Sequence, residues 1–118
     1  MEEYSLYLDR AKKAFEAFKI LKERKLYEDA LSRGYYAIIH LCFAILIKTD
    51  IEIPKTHSGL IAKLWNNREK LGIDEEIVKN ISRLQSLRES GDYSAVPSID
   101  ENDLTLVEKT FERLREIV

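Results

Sequence analysis

The sequence predicts an all-α protein, an up-and-down bundle of four to five helices. Three observations carry that prediction. Apolar residues recur in steps of three and four along almost the whole chain. Only four glycines and two prolines interrupt its 118 residues. The polar stretches between the apolar stripes are short, so successive helices must pack as neighbours. The length is that of one domain, residues 1–118, and a chain of this size buries about 65% of its unfolded surface, enough for a core without staples.

The first stripe is Tyr4, Tyr7, Leu8, Ala11, Ala14, Phe15, Phe18 and Leu21, with Lys12, Lys13, Glu16 and Lys19 outside it. It predicts a helix over 3–24, ended by the polar cluster Glu23-Arg24-Lys25. A second helix is expected over 26–48. Tyr27, Leu31, Gly34, Ile38, Leu41 and Ile45 form one of its stripes, and Tyr36, Ile39, Phe43 and Leu46 form another. A helix apolar on two faces is buried on two sides, so this one is the central helix or faces both its own core and a partner subunit. Residues 49–55, with Pro54, are a linker. Thr56 is the expected N-cap of a third helix over 57–71, which Gly72 ends. Asp74 caps a fourth, with Glu75 and Glu76 in its first turn, and Gly91 is its expected stop. A loop over 92–98 contains Pro97. Ser98-Ile99-Asp100-Glu101 has capping-box spacing and opens a last helix marked by Leu104, Val107, Phe111, Leu114 and Val118.

Composition removes several function classes. Nineteen basic residues against 21 acidic ones leave a net charge of -2, so the chain lacks the global basic footprint of a nucleic-acid binder, although a local patch stays open. The runs near Lys12-Lys13 and Lys19-Lys22 are interleaved with acids and read as solvated helix face. Cys42 is the one cysteine. It excludes an intramolecular disulfide and fits a buried, reduced thiol. Cys42, His40 and His57 do not fit a structural zinc spacing. No Gly-rich phosphate loop, GxSxG or HExxH is present, so no cofactor or metal is expected. The acidic start Met1-Glu2-Glu3-Tyr4 is wrong for a signal peptide. The apolar run 35–47 contains His40 and is shorter than the roughly 20 residues of a membrane helix. A cytoplasmic protein without membrane association is the expectation.

Few residues could carry chemistry. Arg88 and Asp92 stand four apart, so on a helix they face each other, and Tyr93 follows. They could form a polar site, with a guanidinium for phosphate, a carboxylate to orient it and a phenol for stacking. The plainer reading is an intrahelical ion pair with a tyrosine over the helix end, since pairs at this spacing are common and weak. His57, just after the expected cap, could lie near a phosphate at the helix start or be a solvated or capping residue there. Arg33 and His40 are seven apart, with Ala37 and Ala44 on the same face. That arrangement predicts a polar groove lined by small side chains, with Arg33 and His40 hydrogen-bonded inside the bundle or across a dimer interface. Tyr35 is expected at the edge of the core and Tyr36 in the core or an interface, each with its hydroxyl satisfied.

The order of these segments resembles a known family. An amphipathic helix precedes Tyr27-Glu28-Asp29-Ala30-Leu31-Ser32-Arg33-Gly34-Tyr35-Tyr36-Ala37-Ile38-Ile39-His40, then a helix opens at His57-Ser58-Gly59-Leu60, then Leu87-Arg88-Glu89-Ser90-Gly91-Asp92-Tyr93 follows. Over nearly its whole length the chain resembles the HEPN domain, in particular small single-domain prokaryotic members of unassigned function. The resemblance implies a helical bundle that forms a homodimer, with Tyr36, His40 and Phe43 as interface candidates. It implies partnership with a minimal nucleotidyltransferase, often as a toxin–antitoxin pair, and nucleotide or RNA as ligand. Arg88, Asp92, Tyr93, His57 and Arg33 become the candidates for binding the nucleotide or the partner. Many HEPN proteins are metal-independent ribonucleases whose motif is an Arg followed after four to six residues by a His. Arg88 matches the Arg, but Tyr93, Ser94 and Ala95 stand where the His belongs. A binding role without ribonuclease activity is the expectation, and a ribonuclease with an atypical site is the alternative.

Overall fold

In the computed structural model the chain forms α1 (Glu2–Glu23), α2 (Tyr27–Lys48), α3 (His57–Asn66), α4 (Arg68–Leu71), α5 (Glu75–Tyr93) and α6 (Glu101–Ile117). The structure describes residues 2–90 in full, the backbone of 91–93, and residues 99–118. No strand occurs among them, so the expected all-α bundle is what forms.

α2 is the central helix. It packs against α1 along most of its length and against α5 and α6 on its other sides, while α3 packs on α5. Leu31, Ile38, Leu41 and Ile45 of α2 are buried with Phe18 of α1, Ile81 and Leu84 of α5, and Leu104, Val107, Phe111 and Leu114 of α6. Phe15 of α1 stacks on Phe111 of α6, ring centroids 3.9 Å apart and nearly parallel. Gly34 explains how three helices meet so closely. A Cβ there would lie 2.4 Å from Val107 Cγ1 and 2.8 Å from Phe18 Cδ1, so a hydrogen is all that fits between α1 and α6. Cys42 lies in the same core, and burial pushes its thiol up to about 12. By length and composition alone α2 could cross a membrane, but 67% of its most apolar window is buried inside the bundle, which is how a core helix passes such a test.

The connections follow local chemistry. Lys25, at φ 61°, turns the chain between α1 and α2. Thr56 caps α3 by accepting a hydrogen bond from Gly59 N–H at 2.9 Å, and Asp74 caps α5 by accepting from Ile77 N–H at 2.9 Å. Gly72 takes the left-handed conformation, φ 77°, after α4.

Four details differ from the sequence reading. The helix expected over 57–71 is two helices, because Asn67 (φ -113°, ψ 15°) leaves the helical region and its amide donates to the Lys63 carbonyl at 2.9 Å. α5 does not stop at Gly91 but runs to Tyr93, since a glycine permits a helix end without imposing one. The capping box of α6 belongs to Asp100 and Asp103, which exchange side-chain to backbone hydrogen bonds at 3.1 Å each way. Ser98 and Pro97, the expected cap and loop breaker, lie outside the described residues. Tyr35, expected at the edge of the core, is 0% exposed, whereas Tyr36, expected in the core or an interface, is 37% exposed and so is not a core residue.

Candidate functional site

α2 and α5 bring one cluster together. Ser32, Tyr35 and Tyr36 sit three and four positions apart on α2, so they share a face. Opposite them stands Arg88 of α5, half-buried. Its Nε donates to Ser32 Oγ at 3.5 Å and its Nη2 to the Tyr36 hydroxyl at 3.3 Å. Its guanidinium carbon lies 5.0 Å from the Tyr36 ring centroid and 5.7 Å from that of Tyr35, within cation–π range of both. The guanidinium thus lies against two hydroxyls and two aromatic rings.

His57 joins through Tyr35, whose hydroxyl lies 3.2 Å from His57 Nδ1. The start of α3 is thereby tied to the middle of α2, and His57 is neither a freely solvated residue nor a cap. Burial, above all, raises the Tyr35 hydroxyl beyond its ordinary range; the neighbouring Cys42 adds to this and the Arg88 guanidinium opposes it. Tyr35 therefore acts as a neutral hydrogen-bonding group. Asp92 and Tyr93 follow Arg88 at the end of α5, but their side chains, and with them the Arg88–Asp92 pair, lie outside the described residues.

Arg33 and His40 line a different feature, an open groove of about 430 Å³ between α1 and α2. The sequence reading set Arg33 and His40 on a groove walled by Ala37 and Ala44, and the walls are different ones. Ala37 and Ala44 are fully buried; Ala14 and Ala17 of α1 supply the small side chains instead, and Arg10 and Lys13 supply two more cations. Arg10, Lys13, Ala14 and Ala17 follow the three-and-four spacing of a single helix stripe, and that spacing was the available signal that these bases share one concave face. The expectation that His40 is hydrogen-bonded within the bundle fails, since its Nδ1 is buried with no partner among the described residues. Its ring stacks instead between Tyr7 (centroids 5.8 Å apart) and Tyr36 (6.3 Å), with Phe43 edge-on at 6.2 Å. Burial first, and the Arg10 guanidinium second, hold the imidazole below its ordinary value. Tyr36 belongs to both features, touching Arg88 by its hydroxyl and His40 by its ring. No group of three or more His, Cys, Asp or Glu placed to hold a metal ion occurs among the described residues.

A helical bundle with an arginine-centred polar cluster between its second and penultimate helices is the class that the geometry defines. The HEPN domain model matches residues 4–118, and the chain belongs to the HEPN family. It is 33% identical over 102 residues to the UPF0332 protein of Archaeoglobus fulgidus, covering 86% of this chain and 81% of that one. It is 34% identical over 107 residues to a Methanocaldococcus jannaschii protein named "Putative toxin MJ0605", covering 90% of this chain and 79% of that one. A UPF0332 protein of Thermotoga maritima is 27% identical over 96 residues, 80% of this chain and 72% of its own.

Proposed function

We propose that this protein is the HEPN member of a toxin–antitoxin-type pair, a cytoplasmic homodimer that binds a nucleotide, a minimal nucleotidyltransferase partner, or both, through the cluster on α2 and α5. The observation that carries this reading is the held guanidinium of Arg88, with Ser32 and Tyr36 fixing its direction. A planar cation oriented in this way suits a phosphate or a carboxylate of a partner. Asp92 and Tyr93, the positions that follow Arg88 on α5, are included in the proposal from the sequence, and His57 supports the cluster from behind Tyr35. The toxin name carried by two relatives from Methanocaldococcus jannaschii supports the toxin–antitoxin class. The aromatic patch of Tyr36, His40 and Phe43, with Tyr7 beside it, is the face assigned to the homodimer; aromatic residues of this kind are enriched at interfaces.

Ribonuclease activity is not part of this reading, because Tyr93, Ser94 and Ala95 follow Arg88 where the family's ribonucleases carry a His. One observation favours the atypical ribonuclease as a second reading. Both tyrosines under Arg88 touch a histidine, Tyr35 meeting His57 and Tyr36 meeting His40.

The test is a pull-down of the tagged chain from its native cells beside Arg88→Ala, read by mass spectrometry. A nucleotidyltransferase captured by the wild type and lost in the variant is the expected result. Equal capture by both removes Arg88 from the contact. RNA cleavage in chelator that disappears in Arg88→Ala would favour the second reading.

A further inference from the structure

The aromatic patch assigned above to the homodimer is the middle of a longer strip. α1 and α2 run antiparallel along it, since Tyr7 meets His40 and Phe43 while Phe18 lies against Gly34. At one end of this seam Arg10, Lys13 and Arg33 border the groove of about 430 Å³. At the other end a hollow is lined by Glu3, Asp50 and Glu52, together with Ile47 and its apolar neighbours in the linker. Arg33, His40 and Ile47 mark the basic, aromatic and acidic parts at intervals of seven residues, two helical turns or about 10 Å each.

The charges at both ends are exposed and uncompensated. Lys13 pairs with Asp9 at 3.2 Å, but both side chains are mostly exposed, and such pairs are weak. Arg10, Arg33, Glu3, Asp50 and Glu52 form no ion pair among the described residues. The net charge of -2 thus conceals a strip that is positive at one end, aromatic in the middle and negative at the other. Symmetry decides what these ends meet in a homodimer. A two-fold axis along α2 sets groove on groove and hollow on hollow, like charge against like. An axis across α2 near His40 sets each groove on the other copy's hollow, because a two-fold contact pairs one patch with another reciprocally. Opposite potentials facing each other favour association, and like ones cost several kcal/mol.

We propose that the homodimer is antiparallel on this strip, the acidic hollow of each copy closing the basic groove of the other while the aromatic patches cross at the centre. The proposal rests on the homodimer reading above and adds the register of the contact. An acidic segment of another protein would satisfy the groove alone, whereas a second copy satisfies both ends at once.

The test compares two charge-reversed chains with the wild type by sedimentation equilibrium, in about 50 mM and about 500 mM salt. One chain carries Arg10→Glu and Arg33→Glu, the other Glu3→Lys and Glu52→Lys. All these positions are exposed, and circular dichroism checks that helix content is kept. In low salt each variant alone should dimerise at least about tenfold more weakly than the wild type, because like charges then face each other. Their equimolar mixture should form a heterodimer nearly as tight as the wild type, since each reversed end meets an opposite one. High salt should weaken the wild-type dimer by at least about tenfold. Variants that dimerise as the wild type does, or a mixture no tighter than either variant alone, would overturn the antiparallel register and leave the homodimer standing. If a variant loses helix content, the wild type decides, and a dimer indifferent to salt sinks the proposal. A wild-type chain that stays monomeric at about 100 µM in low salt would overturn both the register and the homodimer reading.

Discussion

Tyr35 and Tyr36 are neighbours in the chain, and both rings lie under Arg88, yet their surroundings are opposite. Tyr35 is fully buried, and its hydroxyl is matched by His57 at 3.2 Å. Tyr36 is partly exposed, and the histidine stacked on its ring has a buried nitrogen without a partner among the described residues. One residue of helical rotation, about 100°, separates a polar pair that completes a core from one that leaves hydrogen-bonding capacity unused. A satisfied polar group holds a structure in one arrangement. An unsatisfied one carries a cost that the rest of the fold must offset.

The sharpest way to break this comparison is to truncate each tyrosine. Tyr35→Ala should cost about 3–5 kcal/mol, as for other large buried rings, and Tyr36→Ala less than about 1 kcal/mol, read from urea denaturation midpoints at constant slope. Equal losses would erase the distinction. Gly34→Val, beside the pair, forces methyl groups against Val107 and Phe18. It should cost about 1–3 kcal/mol by overpacking, with the loss recovered in part by Val107→Ala. A smaller effect is expected from Tyr35→Phe. It leaves His57 Nδ1 without its partner and should cost about 1 kcal/mol; no change in thermal midpoint would show that water replaces the hydroxyl.

The smallest effect belongs to His40. Burial, with Arg10 adding to it, holds its folded-state value below the ordinary 6.5, so the folded protein favours the neutral ring. Its contribution is complete above 6.5 and is lost as pH falls through the folded-state value. His40→Phe should therefore flatten the fall in stability between about pH 7 and about pH 5. An unchanged slope would place the titration elsewhere.

Much of the fold was legible because its signals are local. The Thr56 and Asp74 caps, the left-handed Gly72 and the stripes of α1 and α6 are each decided within a few residues. The break at Asn67 was hidden because asparagine is tolerated both inside and outside helices. The full burial of Tyr35 was missed for a different reason. α2 is covered by α1, α5 and α6, and a helix packed on several sides has no polar face to set its rotation. Arg88 could be read as a candidate beside Asp92, but its partners Ser32 and Tyr36 lie 56 and 52 positions away. Lys13 is solvated, as α1 alone suggested, and borders the groove only because α2 lies beside it.

The buried thiol of Cys42, held far from ionisation, gives the molecule a clock of its own. Thiolate is the reactive form, so alkylating reagents cannot modify Cys42 while α2 stays enclosed. Each modification event records a moment when the central helix has been laid open. When reclosing outpaces alkylation, the labelling rate under native conditions reads the opening equilibrium of the bundle without an introduced probe.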